Sequence, residues 1–435
     1  MTDARLSRRS ALKGLAAASA LLGAPTFLAA CGDDDDGKAP DSGAPTDPIT
    51  FGSNYSDDAT KQAFAALCAA ATSATKVPIT VNTTDHNTFQ NNISSYLQGT
   101  PDSLATWFAG YRLQFFAAQG LLTPIDDVWE KIGGTFNDAA RSLSKGIDGH
   151  YYLVPLYNYP WVVFYNKSVF AAKGYQVPTT WDAFIALCQK MKTDGLVPIA
   201  FAEKDGWPAL GTFDILNLRI NGYDFHMRLM KHEVPWTDPK VAAVFDQWRQ
   251  LMPYVQNGAN GRTWQDAAKA LENKQAGMMF QGSNQVAANY SPANLADLDF
   301  FPYPAINPEH GQYYMDAPTD GFILPKKGRN SAAAKVVLQY IGTPEAETSF
   351  LQNDHWDVGL ANGLVAPTYN EIQKKSVAEI AKCKNVSQFM DRDTVPDMAT
   401  AMIKLIQTFI DDPSPGTVTS ILKSAEDQAK TIFTK

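Results

Sequence analysis

The sequence predicts an α/β fold made of two successive units in which strands alternate with helices. Three observations carry this. Short β-branched and aromatic runs at residues 48–52, 77–81 and 104–108 are separated by segments whose apolar residues recur at helical spacing. A second alternating series starts at residues 161–165, in Trp161-Val162-Val163-Phe164-Tyr165. A short Pro/Tyr-rich crossing through Pro155-Leu156-Tyr157 lies between the two series. Such alternation implies βαβ units and a mainly parallel sheet, in which ligands bind where loops leave the carboxyl ends of the strands.

The first 47 residues are not part of the fold. Ser7-Arg8-Arg9-Ser10-Ala11-Leu12-Lys13 opens a basic segment, and an Ala-rich apolar run follows over residues 14–30, interrupted by Pro25. A run this short with no stop-transfer pattern reads as a signal peptide, residues 1–30, and not as a spanning helix. The paired arginines fit a twin-arginine export signal. Leu28-Ala29-Ala30-Cys31 resembles the bacterial lipobox, which makes Cys31 the expected lipidation site. Residues 31–47 read as a disordered acidic tether, because the adjacent carboxylates of Asp33 to Asp36 repel and extend the chain. No calcium-loop spacing follows them.

In the body, residues 57–71 form a helix on Phe64, Leu67 and Cys68, and residues 88–98 another on Phe89, Ile93 and Leu97. A helix is expected at 113–119 after the strand at 104–108. The second series brings helices near 181–193, 239–252 and 264–275 and strands at 277–281 and 298–303. The strand-like run 319–324 precedes a helix at 331–341, and the remainder is mostly helical. Thr180 is a good N-cap for the helix that carries Trp181 and Phe184, so Trp181 reads as packing at a helix start.

Charge and cysteine content narrow the function. Residues 1–30 hold four basic and one acidic residue, so their removal takes the formal charge from −8 to −11. With no Lys/Arg cluster, such a chain is not expected to bind nucleic acid. Beyond Cys31 only Cys68, Cys188 and Cys383 remain, too few for a disulfide framework. Cys68 and Cys188 lie on apolar helical stripes as core thiols, and a Cys188–Cys383 bridge stays open. There is no His-Glu-x-x-His, Gly-x-Ser-x-Gly or phosphate-binding loop, and the six histidines lack ligand spacing. No catalytic residue, cofactor or metal is expected.

The chain resembles the extracellular solute-binding proteins of carbohydrate importers, the family that includes maltose-binding protein. The resemblance runs over residues 48–435 and rests on pieces in order. They are Gly99-Thr100-Pro101-Asp102, Gly120-Leu121-Leu122-Thr123-Pro124, Phe164-Tyr165-Asn166-Lys167, Pro178-Thr179-Thr180-Trp181, Gly277-Met278-Met279 with Gly282-Ser283, and Thr343-Pro344-Glu345. It implies a two-lobed periplasmic-binding-protein fold (type II, Venus-flytrap) with a central inter-lobe cleft that closes by hinge motion. Residues 48–156 and 317–346 are expected in the N-terminal lobe and 157–316 and 347–435 in the C-terminal lobe, with crossings near Tyr157, Asp316 and Thr343.

A sugar needs planar polar partners for its hydroxyls and aromatic rings for its C–H faces. The expected ligand-binding residues sit on loops after strands or at crossings: Asp85, His86, Trp107, Tyr111, Arg112, Tyr157, Trp207, Asn284 and Asp320. Asp57 reads as a helix cap. Asn284 stands where the family often has a Trp after Gly-Ser, so Trp207 or Trp107 is the expected platform. Asp391 and Arg392 are read two ways, as a surface salt-bridge cluster at a helix start or as a late loop folding over the cleft. Trp129, Trp236, Trp248 and Trp264 read as packing. The resemblance implies a monomeric, lipid-anchored, extracytoplasmic protein that captures a mono- or oligosaccharide and delivers it to ABC permease subunits by lobe closure. Alternatives are a non-sugar solute, such as a polyol or amino-acid derivative, on the same fold, or a cell-surface glycan hydrolase.

Overall fold

The computed structural model describes residues 43–361 and 369–433. The expected signal peptide, Cys31 and the tether up to residue 42 lie outside the described residues. In chain order the strands are β1 (Ile49–Ser53), β2 (Ile79–Thr83), β3 (Leu104–Phe108), β4 (Leu153–Asn158), β5 (Trp161–Asn166), β6 (Val197–Ile199), β7 (Ala276–Gly282), β8 (Leu298–Phe301), β9 (Tyr314–Asp316), β10 (Thr319–Ile323), β11 (Val358–Gly359) and β12 (Asn385–Ser387). They form a six-stranded sheet ordered β11-β4-β10-β3-β1-β2, a four-stranded sheet ordered β6-β7-β5-β8, and the pair β12-β9.

In the first sheet β1 pairs in parallel with β2 and β3. The crossovers are α1 (Asp58–Thr75) and α2 (His86–Gln98), and α3 (Tyr111–Ala118) follows β3. The stripe that predicts α1 is the face it buries: Phe64, Leu67, Cys68 and Ala71 lie against the sheet, with Phe64 edge-on to Phe51 at 5.0 Å. Each large side chain buried this way contributes about 1.5–3 kcal/mol. The helix ends at Lys76 in the left-handed conformation, where its N–H bonds the Thr72 carbonyl.

The crossing expected at 155–157 is instead a central strand. β4 carries Pro155, which the strand accommodates because the ladder with antiparallel β10 shifts register between Asp320 and Gly321. Tyr157 then faces Asp320, and Gly321 faces Pro155. Gly321 is required there, since a β-carbon would run into the Val154 carbonyl. This bulge turns Tyr157 and Asp320 toward each other.

The second sheet has β5 antiparallel to β7 and β8, with β6 parallel to β7. Thr180 caps the helix Trp181–Thr193 through the Ala183 N–H, as its sequence suggests. Two helices not expected from periodicity, Pro208–Asn221 and Tyr223–Met230, pack on the β12-β9 pair, the first on β9 and the second on β12. The first is buried over most of its length, so it shows no amphipathic stripe.

The chain then returns to the first sheet. Helices Ser331–Ile341 and Pro344–Leu351 pack on α1, and β11 pairs with β4. Residues 344–359 therefore lie with the first sheet, beyond the expected lobe boundary at residue 346. The last helices, Pro396–Asp411 and Pro415–Ile432, pack on each other and on the second unit. Cys68, Cys188 and Cys383 are free thiols, so the Cys188–Cys383 alternative is not formed.

Candidate functional site

A pocket enclosing about 480 Å³, its mouth included, lies at the carboxyl ends of the parallel strands and the start of β10. After β1 come Asn54, Tyr55, Ser56, Asp57 and Thr60, and after β2 comes His86. Tyr157 and Tyr159 flank the end of β4, and Asp320 stands near the start of β10. The second unit contributes Trp207 ahead of helix Pro208–Asn221 and Trp264 at the start of helix Trp264–Glu272. It also contributes Asn284 and Gln285, which follow β7. Both sheets thus face the pocket with their loop ends, where an open α/β sheet holds ligands.

Its walls combine rings with polar groups that lack protein partners. The indoles of Trp207 and Trp264 lie 5.1 Å apart, and His86 sits 6.2 Å from Trp207. Among the described residues, Asn284 Oδ1, Gln285 Oε1 and Trp264 Nε1 are buried without a protein hydrogen bond. A buried polar atom left this way costs about 1–3 kcal/mol. Two acceptors and a donor around one pocket are satisfied together by a ligand bearing hydroxyls.

Asp320 is the pocket's best-held acid. Arg392 Nη1 donates to its Oδ1 at 2.6 Å and the Tyr157 hydroxyl to its Oδ2 at 3.2 Å. Burial pushes its carboxyl above the ordinary range, and the Arg392 charge draws it part of the way back. Arg392 also donates to the Tyr159 hydroxyl at 2.9 Å and lies over the Phe108 ring at 3.9 Å. Burial works against its charge, but Asp320, Tyr159 and Asp391 together outweigh it and hold the guanidinium protonated.

His86 enters as a neutral ring. Burial, then the Arg392 charge, pushes its pKa down to about 4. The tautomer follows from the network: Thr106 Oγ1 donates to Asn54 Oδ1 at 2.7 Å, so the Asn54 amide turns its N–H to His86 Nδ1 at 3.4 Å. Nδ1 accepts, and Nε2 carries the proton as a donor.

Of the expected residues, His86, Tyr157, Trp207, Asn284 and Asp320 line the pocket. Arg112, Asp391 and Arg392 are buried behind it: Arg112 pairs with Asp391 at 3.4 Å, and Gln90 donates to the same carboxylate. This excludes the surface-cluster reading of Asp391 and Arg392. Asp85 is exposed and caps α2 by accepting from the Thr88 N–H at 2.9 Å, which holds its carboxyl below the ordinary value. Tyr111 starts α3 outside the lining. Trp107, 1% exposed, packs among Phe89, Phe108 and Phe116 in the core and offers no platform.

Trp264, read as packing, lines the pocket, as do Tyr55, Tyr159 and Gln285. Asp57 occupies the cap position of α1 without a side-chain cap bond and faces the pocket instead. Trp129, Trp236 and Trp248 are core residues, and Trp181 packs on Phe184 and donates to Gln250 at 2.9 Å. Among the described residues no group of His, Cys, Asp and Glu is arranged to hold a metal ion, and no helix is long and apolar enough to cross a membrane.

A family model described as bacterial extracellular solute-binding protein matches residues 54–348. The crystal structure of the bacterial solute receptor AcbH, reported to have an exclusive substrate preference for β-D-galactopyranose, is 82% identical. It superposes with a TM-score of 0.89 over 89% of this chain and 100% of that one. An uncharacterized ABC transporter extracellular-binding protein of Pyrococcus horikoshii is 28% identical over 301 residues, covering 66% of this chain and 65% of the relative. A probable sugar-binding periplasmic protein of Rhizobium meliloti is 32% identical over 190 residues, covering 41% of this chain and 44% of the relative. The chain thus spans less than two thirds of the length of these two curated relatives.

Proposed function

We propose that this chain, which belongs to the bacterial extracellular solute-binding protein family, captures a single hexose outside the membrane and delivers it to the permease of an ABC importer. The observation that carries the reading is the pocket, in which acceptors, donors and aromatic faces converge within about 480 Å³. Rings for the C–H faces and polar groups for the hydroxyls are what a sugar ring requires. The 82% identity to AcbH, with its preference for β-D-galactopyranose, makes galactose the first sugar to test.

In this reading Asp320, Asn284, Gln285 and His86 meet the hydroxyls, and Trp207, Trp264 and the tyrosines cover the C–H faces. The two units close over the sugar about the strands at Tyr157 and β10. An empty closed form is disfavoured because it buries polar walls without partners. Cys31 anchors the mature monomer to the membrane by lipid, with the acidic tether as spacer.

Calorimetric titration of the mature chain with D-galactose, D-glucose and maltose tests the proposal. Saturable heat with D-galactose alone is expected, and no heat with any of them overturns it. New reducing ends on incubation with oligosaccharides favour the hydrolase alternative instead.

A further inference from the structure

We infer that Asn87, a residue outside the pocket lining, positions the Trp207 indole across the cleft and keeps the loaded pocket shut. The inference rests on the sugar-binding reading above.

Asn87 stands in the first turn of α2, on the six-stranded-sheet side. Its partners come from the other unit: Trp207 Nε1 donates to its Oδ1 at 3.1 Å, and its Nδ2 donates to Asp205 Oδ1 at 2.9 Å. One side chain thus takes a proton from the platform and gives one to the loop that carries it. Only a carboxamide supplies both roles at this size. Three residues further along α2, on the same face, Gln90 reaches Asp391. The α2 face therefore meets the second unit at two consecutive points beside the pocket.

The consequence for Trp207 is geometric. Its ring meets Trp264 at 5.1 Å and 53° and Trp161 at 6.3 Å and 79°, contacts that hold it by shape within the second unit. The bond from Nε1 to Asn87 adds a directional tie to the other unit. Asp205 sits two residues before Trp207, so its bond ties the same loop at a second point. Neither bond survives when the units part, so Asn87 acts on release and not on encounter. An aspartate at this position would put a carboxylate oxygen where Nδ2 now donates to Asp205 at 2.9 Å, setting two acceptors against each other.

The test is stopped-flow tryptophan fluorescence with D-galactose on the wild type, Asn87→Leu and Asn87→Asp, with melting curves of free and loaded protein. Asn87→Leu should dissociate about tenfold faster, the size expected for two lost hydrogen bonds, with association unchanged. Its free form should melt with the wild type, and only the loaded form should melt lower. Asn87→Asp, which keeps the acceptor for Trp207 Nε1 but loses the donor to Asp205, should release galactose faster than the wild type at pH 7.5 and slow toward it at pH 5.5, where a proton shared between the two carboxyls restores the bond to Asp205. An Asn87→Leu that releases galactose at the wild-type rate overturns the inference, as does equal destabilisation of free and loaded forms. A wild type that gives no signal with D-galactose removes the functional reading and this inference with it.

Discussion

Replacing His86 by Gln tests whether the pocket takes the imidazole only as a neutral donor. In this structure burial, then the Arg392 charge, holds its pKa down to about 4 against an ordinary value of 6.5. Parting the units removes the burial and should return it toward the ordinary value. A proton is then bound more readily by the open form, so acid favours opening. Closure is unpenalised above pH 6.5 and weakened as the pH falls from 6.5 toward 4. At pH 5 the difference spans 1.5 units, which is about 2 kcal/mol, or about thirtyfold in affinity. The ring keeps partial exposure toward the pocket, which trims the effect to about tenfold. Glutamine keeps a donor and does not titrate. Calorimetric titration with D-galactose at pH 7.5, 6.5, 5.5 and 5.0 should show the wild type losing affinity relative to His86→Gln by about tenfold across the series. Comparing the two proteins at each pH cancels the titration of Asp316 and Asp393, whose carboxyls burial pushes up to about 7. A constant ratio of the two dissociation constants refutes the reasoning, because it places His86 in equal surroundings in both forms.

Trp207→Ala should weaken D-galactose binding at least tenfold, about 1.4 kcal/mol, and also lower the melting temperature, since its ring packs on Trp161 and Trp264. Trp181→Ala should lower the melting temperature alone; calorimetry with melting curves separates the two. Small-angle scattering should show a smaller radius of gyration with saturating D-galactose, and identical radii rule out closure about β4 and β10. Cys31→Ser should move the protein from membranes to the soluble fraction; unchanged partitioning removes the lipid anchor.

The alternation of strands and helices was legible because each crossover helix writes its buried stripe into the sequence, as Phe64, Leu67 and Cys68 do. β4 was not, because Pro155 argues against a central strand until the bulge opposite it is known. The rule that ligands gather after strands singled out His86 and Asn284, and the return crossing singled out Asp320, and all three line the pocket. It failed for Trp107 by one residue: neighbours in a strand face opposite sides. Phe108 lies under Arg392 while Trp107 turns toward Phe89 and Phe116. Trp264 shows what local sequence does not contain. Thr180-Trp181 and Thr263-Trp264 are the same cap-and-ring pattern, and each threonine caps its helix. One helix starts against Gln250 and the other starts in the pocket, and only long-range topology separates them.

Residues 385–394 show how a distant part of the chain completes the site. Phe389 has φ 114°, a conformation that costs a non-glycine residue about 1–3 kcal/mol. The surroundings over-determine it. Gln388 accepts from the Thr319 N–H at 2.9 Å and gives its own N–H to Asp393 at 2.8 Å. The Met390 N–H goes to Asp214 at 2.7 Å, and the Phe389 ring stacks on Trp161 at 4.7 Å. Gly110, at φ 89°, leaves room for this approach, since a β-carbon there would sit 3.0 Å from the Arg392 carbonyl. What the strained turn delivers is Arg392, set between Phe108 and Asp320. Asp320 then has Oδ1 held from behind by Arg392 and Oδ2 from the side by Tyr157, and each oxygen keeps a lone pair for a ligand. A hydroxyl entering the pocket meets an acceptor whose orientation is already fixed, so the entropy of fixing it falls on folding and not on binding.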